Sequence, residues 1–273
     1  MIAGMKETQK RGHLHPLTHV IRDIETIFAE LGFSYIDGPE LETEYYNFDA
    51  LNMPSDHSSR DMQDTFWVRS ENLELRKTLP DIFSSGAKKH IGKVYSTGTV
   101  KQKNEKGERL LLRTQTSSVQ IRAMERLTPP LRVVVAGGRV FRNEATDATH
   151  EAQFYQQEAL YVDQDVSIAQ LKGTLAFFCK RFFGEDADIR FRPSYFPFVE
   201  PAVEVDMRYK GRWLEIAGAG LVHQNVLKNV GIDPNEWQGF ALSFGIDRLA
   251  LLRYGIEDIR LLYNGDLRLV QQF

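Results

Sequence analysis

Residues 142–163 read RNEATDATHEAQFYQQEALYVD, a segment that predicts a strand, a polar loop and a second strand. Side chains two positions apart lie on the same face of a strand. This spacing predicts that Arg142 and Glu144 share one face of the first strand, and that Gln156 and Glu158 share one face of the second. Each pair taken singly is more typical of exposed charges across a sheet. Their combination makes this hairpin the candidate functional site.

Further strand signals extend the hairpin into a larger sheet. The turn residues Lys210 and Gly211 join two of these strands as a second hairpin, so the sheet should be largely antiparallel. Few helices separate the strands, which argues against a doubly wound nucleotide fold. The sequence predicts an α+β protein with strands at 33–36, 132–135, 154–162, 189–192, 203–208 and 212–217.

Three helices are predicted around this sheet. Apolar side chains recur every three or four residues over 17–31, and Gly32 follows. Ser167 and Gln170 form a capping box ahead of a second apolar stripe, and a third helix should span 246–254.

An aromatic pair, Phe196 and Phe198, shows the same spacing of two. Ordinary core aromatics are the simpler explanation of this pair when it is considered alone. The only cysteine, Cys179, lies in an apolar helical stretch, which favours a buried and unreactive thiol. We find no signal peptide and no apolar run of membrane-span length, so the expected location is the cytoplasm, without membrane contact.

The charge balance restricts how the chain could bind nucleic acid. Its 273 residues carry a net charge of −3, with no overall basic excess for holding phosphates. Any RNA contact must therefore be local or shared. Residues 86–109, in the least regular part of the chain, contain six lysines and one arginine but only two glutamates. A solvated insertion is the simpler interpretation of this segment, and an RNA-contacting loop is the alternative.

Several segments carry a family resemblance. Residues 142–158 are similar to motif 2 of class II aminoacyl-tRNA synthetases, 240–248 (FALSFGIDR) to motif 3, and the first helix with its following strand to motif 1. More specific strings are YYNFDALN at 45–52, DMQDTF at 61–66, LRTQTS at 112–117, RPSYFPF at 192–198, and residues 261–273. Together they resemble the α chain of bacterial-type phenylalanyl-tRNA synthetases from about Gly12 to Phe273.

The resemblance implies one class II catalytic domain over 1–273, with a basic insertion at about 69–109. It implies that phenylalanine and ATP, with Mg²⁺, give phenylalanyl-adenylate, whose acyl group then moves to the 2′-hydroxyl of the terminal adenosine of tRNA(Phe). The expected partner is a β chain, in an α2β2 tetramer. Proteins of this type begin with a coiled-coil arm that contacts tRNA, whereas this sequence starts almost at the catalytic domain.

The resemblance also implies how the nucleotide is held. Arg142 would bind the α-phosphate and the substrate carboxylate, and Arg248 would stack on adenine and reach the γ-phosphate. These two arginines are the expected catalytic residues, because guanidinium groups neutralise oxyanions bidentately. Phe154 would stack on the other face of adenine, Glu144 would lie near its amino group, and His150 near the outer phosphates.

A second set of residues is implied for the amino acid. Glu158, Gln156 and Ser117 would bind its α-amino group, and the two phenylalanines would meet its ring edge-to-face. The full expected pocket comprises Trp67, Gln115, Ser117, Gln156, Glu158, Phe196, Phe198, Val199 and Ala241. Glu200 would help to hold Mg²⁺ at the boundary with the β chain.

Two small residues depart from the usual pattern of this family, in which glycine occupies both positions: Ser243 and Ala159. Ser243 adds a hydroxyl near the expected phenyl site. Two alternatives stay open at this point: a related class II synthetase domain with another amino acid specificity, such as a pyrrolysyl-type or phosphoseryl-type enzyme, and a non-catalytic paralogue.

Overall fold

The computed structural model describes residues 12–60, 64–68, 94–96 and 109–273. Its strands are Ser34–Asp37 (β1), Leu41–Thr43 (β2), Trp67–Val68 (β3), Val94–Ser96 (β4), Leu110–Leu112 (β5), Leu131–Val135 (β6), Gly138–Phe141 (β7), Gln153–Asp163 (β8), Ile189–Phe196 (β9), Val199–Tyr209 (β10), Arg212–Val222 (β11) and Gln238–Gly245 (β12). Its α-helices are Pro16–Glu30 (α1), Glu44–Asn47 (α2), Ser117–Arg126 (α3), Ile168–Phe183 (α4), Gln224–Asn229 (α5), Ile246–Tyr254 (α6) and Leu267–Val270 (α7).

The main sheet has the order β4-β1-β6-β8-β12-β11-β10-β9, and β7 pairs with the N-terminal part of β8, residues 153–156. Every pairing in it is antiparallel except those of β1, which runs parallel to both β4 and β6. The predicted α+β class and largely antiparallel sheet are therefore confirmed. A smaller sheet, in the order β2-β5-β3, lies beside it.

One face of the main sheet is covered by the predicted helices α1, α4 and α6. Their apolar stripes meet alternate residues of β8 and β12 in one core cluster, where the rings of Phe28, Phe178 and Phe244 pack together. The capping box of Ser167 and Gln170 is present at the start of α4. Cys179 is buried on the same helix, and burial raises the pKa of its thiol to about 12.

The opposite face of the sheet carries a second core cluster, centred on α3. A buried ion pair joins this helix to the smaller sheet, since the Arg122 guanidinium donates two hydrogen bonds of 2.7 Å to the Glu42 carboxylate. Helix α3 and the small sheet leave the middle of this face uncovered. That opening becomes the candidate site.

The basic segment at 69–109 lies outside the described residues, apart from 94–96 and Arg109, and both its role and the single-domain organisation stay predictions. Asp206 lies within the predicted strand 203–208 and is buried there, where Arg190 and Arg192 of the neighbouring β9 donate to its carboxylate at 2.8 and 2.7 Å. Among the residues described, no helix is long and apolar enough to cross a membrane.

Candidate active site

A cavity of about 640 Å³ opens on the α3 face of the main sheet. Strands β8, β11 and β12 supply its floor, and α3 with the loops around β7 supplies its walls. Two predicted site residues, Trp67 and Glu200, are absent from its lining. The others come together there: Gln115, Ser117, Arg142, Glu144, His150, Phe154, Gln156, Glu158, Phe196, Phe198, Val199, Ala241 and Arg248.

A buried carboxylate, that of Glu158, lines the cavity. Ser117 Oγ donates to one of its oxygens at 2.9 Å, and Gln120 Nε2 donates to the other at 2.6 Å. Burial raises the pKa of Glu158 to about 7, although these hydrogen bonds oppose the shift. Such a group attracts a cationic ligand that enters the cavity. Sequence reasoning missed Gln120, which lies three residues after Ser117 on the same face of α3.

An aromatic pair also lines the cavity. The rings of Phe196 and Phe198 stack with centroids 5.9 Å apart. Gly218 on β11 makes room for them, since a Cβ there would lie 3.1 Å from Phe196 Cζ. The prediction that both phenylalanines share one strand is wrong. Strand β9 ends at Phe196, and Phe198 lies in the tight turn before β10.

Arg142 lines the same cavity, close enough to Glu144 and Glu158 for their charges to act on its guanidinium. Its Nε donates to the carbonyl of Thr114 at 3.2 Å, and its guanidinium lies 5.0 Å from the Phe154 ring centroid. Burial lowers the pKa of Arg142 from its ordinary value. Strand β7 ends at Phe141, so Arg142 and Glu144 do not share a strand face as the spacing predicted. Both nevertheless line the cavity.

Arg248 lies in the first turn of α6, where the strand-to-helix transition was predicted. Its Nη1 donates to the carbonyl of Glu215 at 3.0 Å, which tethers the side chain to β11. His150 lies in the exposed loop after β7, and its Nδ1 contacts the Asp147 carboxylate at 3.0 Å. The cavity therefore combines two arginines with carboxylates and aromatic rings.

Trp67 and Glu200 lie elsewhere. Trp67 on β3 packs against Phe48, and the Arg109 guanidinium covers its ring at 3.8 Å from the centroid. Glu200 on β10 is exposed, with one oxygen 3.4 Å from His223 Nε2. Neither geometry brings these side chains into the cavity.

A family model described as the class II core domain (F) of tRNA synthetases matches residues 2–273. The phenylalanine–tRNA ligase alpha subunit of Pectobacterium atrosepticum is 47% identical over 267 residues, covering 97% of this chain and 69% of that protein. The corresponding subunit of Proteus mirabilis is 48% identical over 265 residues, with the same coverage of both chains.

The chain belongs to the class II tRNA synthetases. Within them it belongs to the family of phenylalanine–tRNA ligase alpha subunits, to which the relative from Haemophilus influenzae, 47% identical over 263 residues, also points. The fold is shared more widely. A pyrrolysyl-tRNA synthetase from Desulfitobacterium hafniense superposes with a TM-score of 0.63 at 14% identity, covering 92% of this chain and 74% of that one.

A cation site in this class II synthetase can be tested against its donor groups. No cluster of three or more metal-ligating side chains exists within the part of the chain that the structure describes. Glu215, which sequence reasoning missed, lines the cavity near Arg248. Burial and then the charge of Glu204 raise the pKa of Glu215. A carboxylate here suits Mg²⁺ that arrives with phosphate oxygens, because Mg²⁺ takes one or two carboxylates and completes its shell with phosphates and water.

Proposed function

We propose that this chain activates L-phenylalanine with ATP to form phenylalanyl-adenylate, releases pyrophosphate, and transfers the phenylalanyl group to the 2′-hydroxyl of the terminal adenosine of tRNA(Phe). Membership of the phenylalanine–tRNA ligase alpha-subunit family supports this activity. We place the reaction in the cytoplasm, with a β subunit as partner in an α2β2 assembly.

The observation that carries the proposal is the set of groups that one cavity on the α3 face of the sheet brings together. The buried Glu158 carboxylate and the Phe196 and Phe198 rings line the same cavity as the two arginines. We assign the first three side chains to an amino acid end and the arginines to a nucleotide end. A buried carboxylate suits an α-ammonium group, and neighbouring aromatic rings suit a phenyl side chain. An amino acid held in this way directs its own carboxylate toward Arg142.

The arginines then account for the chemistry. The carboxylate oxygen attacks the α-phosphorus of ATP, the bond to the bridging oxygen breaks, and pyrophosphate leaves. Charge grows on the phosphate oxygens during this step, so fixed guanidinium groups in a partly dry site stabilise the transition state. We assign Arg142 to the α-phosphate and Arg248 to adenine and the γ-phosphate. Phe154, Glu144 and His150 would complete the nucleotide site.

The assignment of the metal follows the same logic. Mg²⁺ bound with ATP would neutralise phosphate charge. Because Glu215 lies in the cavity and would otherwise face the phosphates directly, we propose that it holds this ion. Glu200, which is exposed on β10, stays a proposal for an ion shared with the β subunit.

The test is an ATP–pyrophosphate exchange assay across the amino acids, with and without the β subunit. Phenylalanine should support exchange, and tyrosine should be at least about tenfold weaker, since Ala241 offers a buried para-hydroxyl no partner and an unpaired hydroxyl costs about 1 to 3 kcal/mol. Exchange with another amino acid would favour a different class II specificity. Its absence with every amino acid would favour a non-catalytic paralogue.

Substitution of Arg142 tests the assigned mechanism. Arg142→Ala should lower exchange by more than about a hundredfold, because a bidentate anchor for developing charge is worth several kcal/mol in such a site. Arg248→Ala should mainly raise the KM for ATP. Circular dichroism should show both variants folded. Exchange by the Arg142 variant within tenfold of the parent would contradict the assignment.

A further inference from the structure

Ser243 lies on the cavity floor between the two groups that define the amino acid end. It pairs with Glu158 of β8 on one side and with Gly218 of β11 on the other. Directly paired residues point to the same face of a sheet, so the Ser243 side chain stands between the buried carboxylate and the space that Phe196 fills. It also lines the cavity.

The hydroxyl of Ser243 is engaged by a neighbouring amide. Gln156 Nε2 donates a hydrogen bond of 2.6 Å to Ser243 Oγ. At its other end, Gln156 Oε1 accepts from the backbone N–H of Thr116 at 3.2 Å. These two bonds tie the amide to β12 on one side and to the start of α3 on the other.

The two partners play different parts in orienting the amide. A backbone N–H can only donate, so Thr116 requires the Gln156 oxygen on its side. A hydroxyl can accept or donate, and with the nitrogen turned toward it Ser243 must accept. One N–H of the amide and one lone pair of its oxygen then remain for a ligand. Without Ser243, the half-buried amide nitrogen would lose a partner and the amide could rotate away.

We propose that Ser243 is a positioning residue, which holds the Gln156 amide in a single orientation for recognition of the amino acid at its α-amino end. This inference rests on the proposed function. Among the described residues no hydrogen bond links Ser243 to Arg142 or Arg248, so its effect should be confined to the amino acid. The hydroxyl orders the pocket rather than offering a free partner to the para position of the ring.

The expected effect is a selective change in the Michaelis constant. Ser243→Ala should raise the KM for phenylalanine in ATP–pyrophosphate exchange about three- to tenfold, the loss that one neutral hydrogen bond causes. The kcat and the KM for ATP should stay within twofold of the parent. Ser243→Thr, which retains the oxygen, should restore the KM to within twofold. Ser34→Ala on β1, remote from the cavity, is the matched hydroxyl deletion.

A double-mutant cycle separates positioning from a direct or structural role. If Ser243 acts through Gln156, then Ser243→Ala should change the KM for phenylalanine less than twofold when Gln156 is already alanine. An unaltered KM in the single variant would overturn the inference. So would an equal increase in the Gln156→Ala background, or an equal effect on the KM for ATP.

Exchange by the parent enzyme separates failure of the proposed function from failure of the role proposed for Ser243. If the parent shows no exchange with phenylalanine, in the presence of the β subunit, the proposed function fails and the role of Ser243 fails with it. If the parent exchanges phenylalanine but Ser243→Ala behaves like Ser34→Ala, only the role of Ser243 is wrong.

Discussion

Two adjacent residues of β8, Gln157 and Glu158, lie on opposite faces of the sheet and should differ in their effects on stability and function. Glu158 faces the cavity, and Gln157 faces the helical core on the other side of the sheet. Both are polar and nearly fully buried. Glu158 has hydrogen-bond donors on both oxygens, whereas neither amide atom of Gln157 has a partner among the described residues. Burial of either side chain should therefore lower the free energy of unfolding, but only Glu158 contributes to ligand binding.

Replacement of Glu158 should separate these effects. The folded pKa is about 7 and the ordinary value is 4.5, so between these pH values the folded state holds an additional proton. The stability linked to this proton is present below pH 4.5 and is lost as the pH rises through 7. At pH 8, Glu158→Gln should raise the free energy of unfolding by about 1 to 3 kcal/mol and abolish phenylalanine binding.

Urea denaturation and calorimetric titration measure these two quantities. Phenylalanine binding by the parent should weaken as the pH falls below about 7, because a protonated carboxyl no longer attracts an ammonium group. A destabilised Glu158→Gln variant at pH 8, or one that retains affinity within threefold, would contradict the role given to this carboxylate.

Gln157→Leu should stabilise the protein without changing its activity. Removal of an unpartnered buried amide relieves a desolvation cost of about 1 to 3 kcal/mol. The same change at Gln238, exposed on β12, is the control and should leave the midpoint of urea denaturation unchanged. A lower midpoint for Gln157→Leu would indicate that the amide has a partner.

At the level of elements, the sequence predicts helix limits well where the contacts that set them lie between neighbouring residues. The capping box of α4 and the limits of α6 follow from neighbouring residues, and the structure confirms both. The spacing of Phe196 and Phe198 predicted that both lie on one strand, although Pro197 between them lacks a backbone N–H, and β9 ends directly before it. The burial of Asp206 depends on arginines from another strand, and no periodicity along β10 contains that information.

Helix α4 offers a pair of changes with opposite expected signs. Ser167→Ala should lower the free energy of unfolding by about 1 kcal/mol through loss of the N-cap. Gly173→Ala should raise it by about 0.5 to 1 kcal/mol, since a Cβ there meets no atom within 4 Å and alanine is the better helix former. Thermal denaturation measures both. Exchange activity should not change, because α4 packs on the face away from the cavity.

At the scale of the whole molecule, the distribution of charge decides how tRNA is held. The chain has a net charge of −3, and tRNA binding depends on several phosphate contacts whose strength falls steeply with salt. The local basic excess within 86–109 lies mostly outside the described residues and is known only from sequence. We therefore expect productive charging to require the β subunit together with this segment.

The last prediction tests that segment. Lys88, Lys89 and Lys93 changed together to glutamine should raise the KM for tRNA several-fold at about 150 mM salt, because each lost phosphate contact reduces both affinity and its dependence on salt. Phenylalanine-dependent exchange should not change.

The control changes three helical lysines, Lys172, Lys180 and Lys228, and alters the net charge equally. Aminoacylation is measured with purified chain, with the chain plus β subunit, and with both variants plus β subunit. Efficient charging by the chain alone would refute the dependence on the β subunit, and equal KM values for the two variants would make the basic segment a solvated insertion.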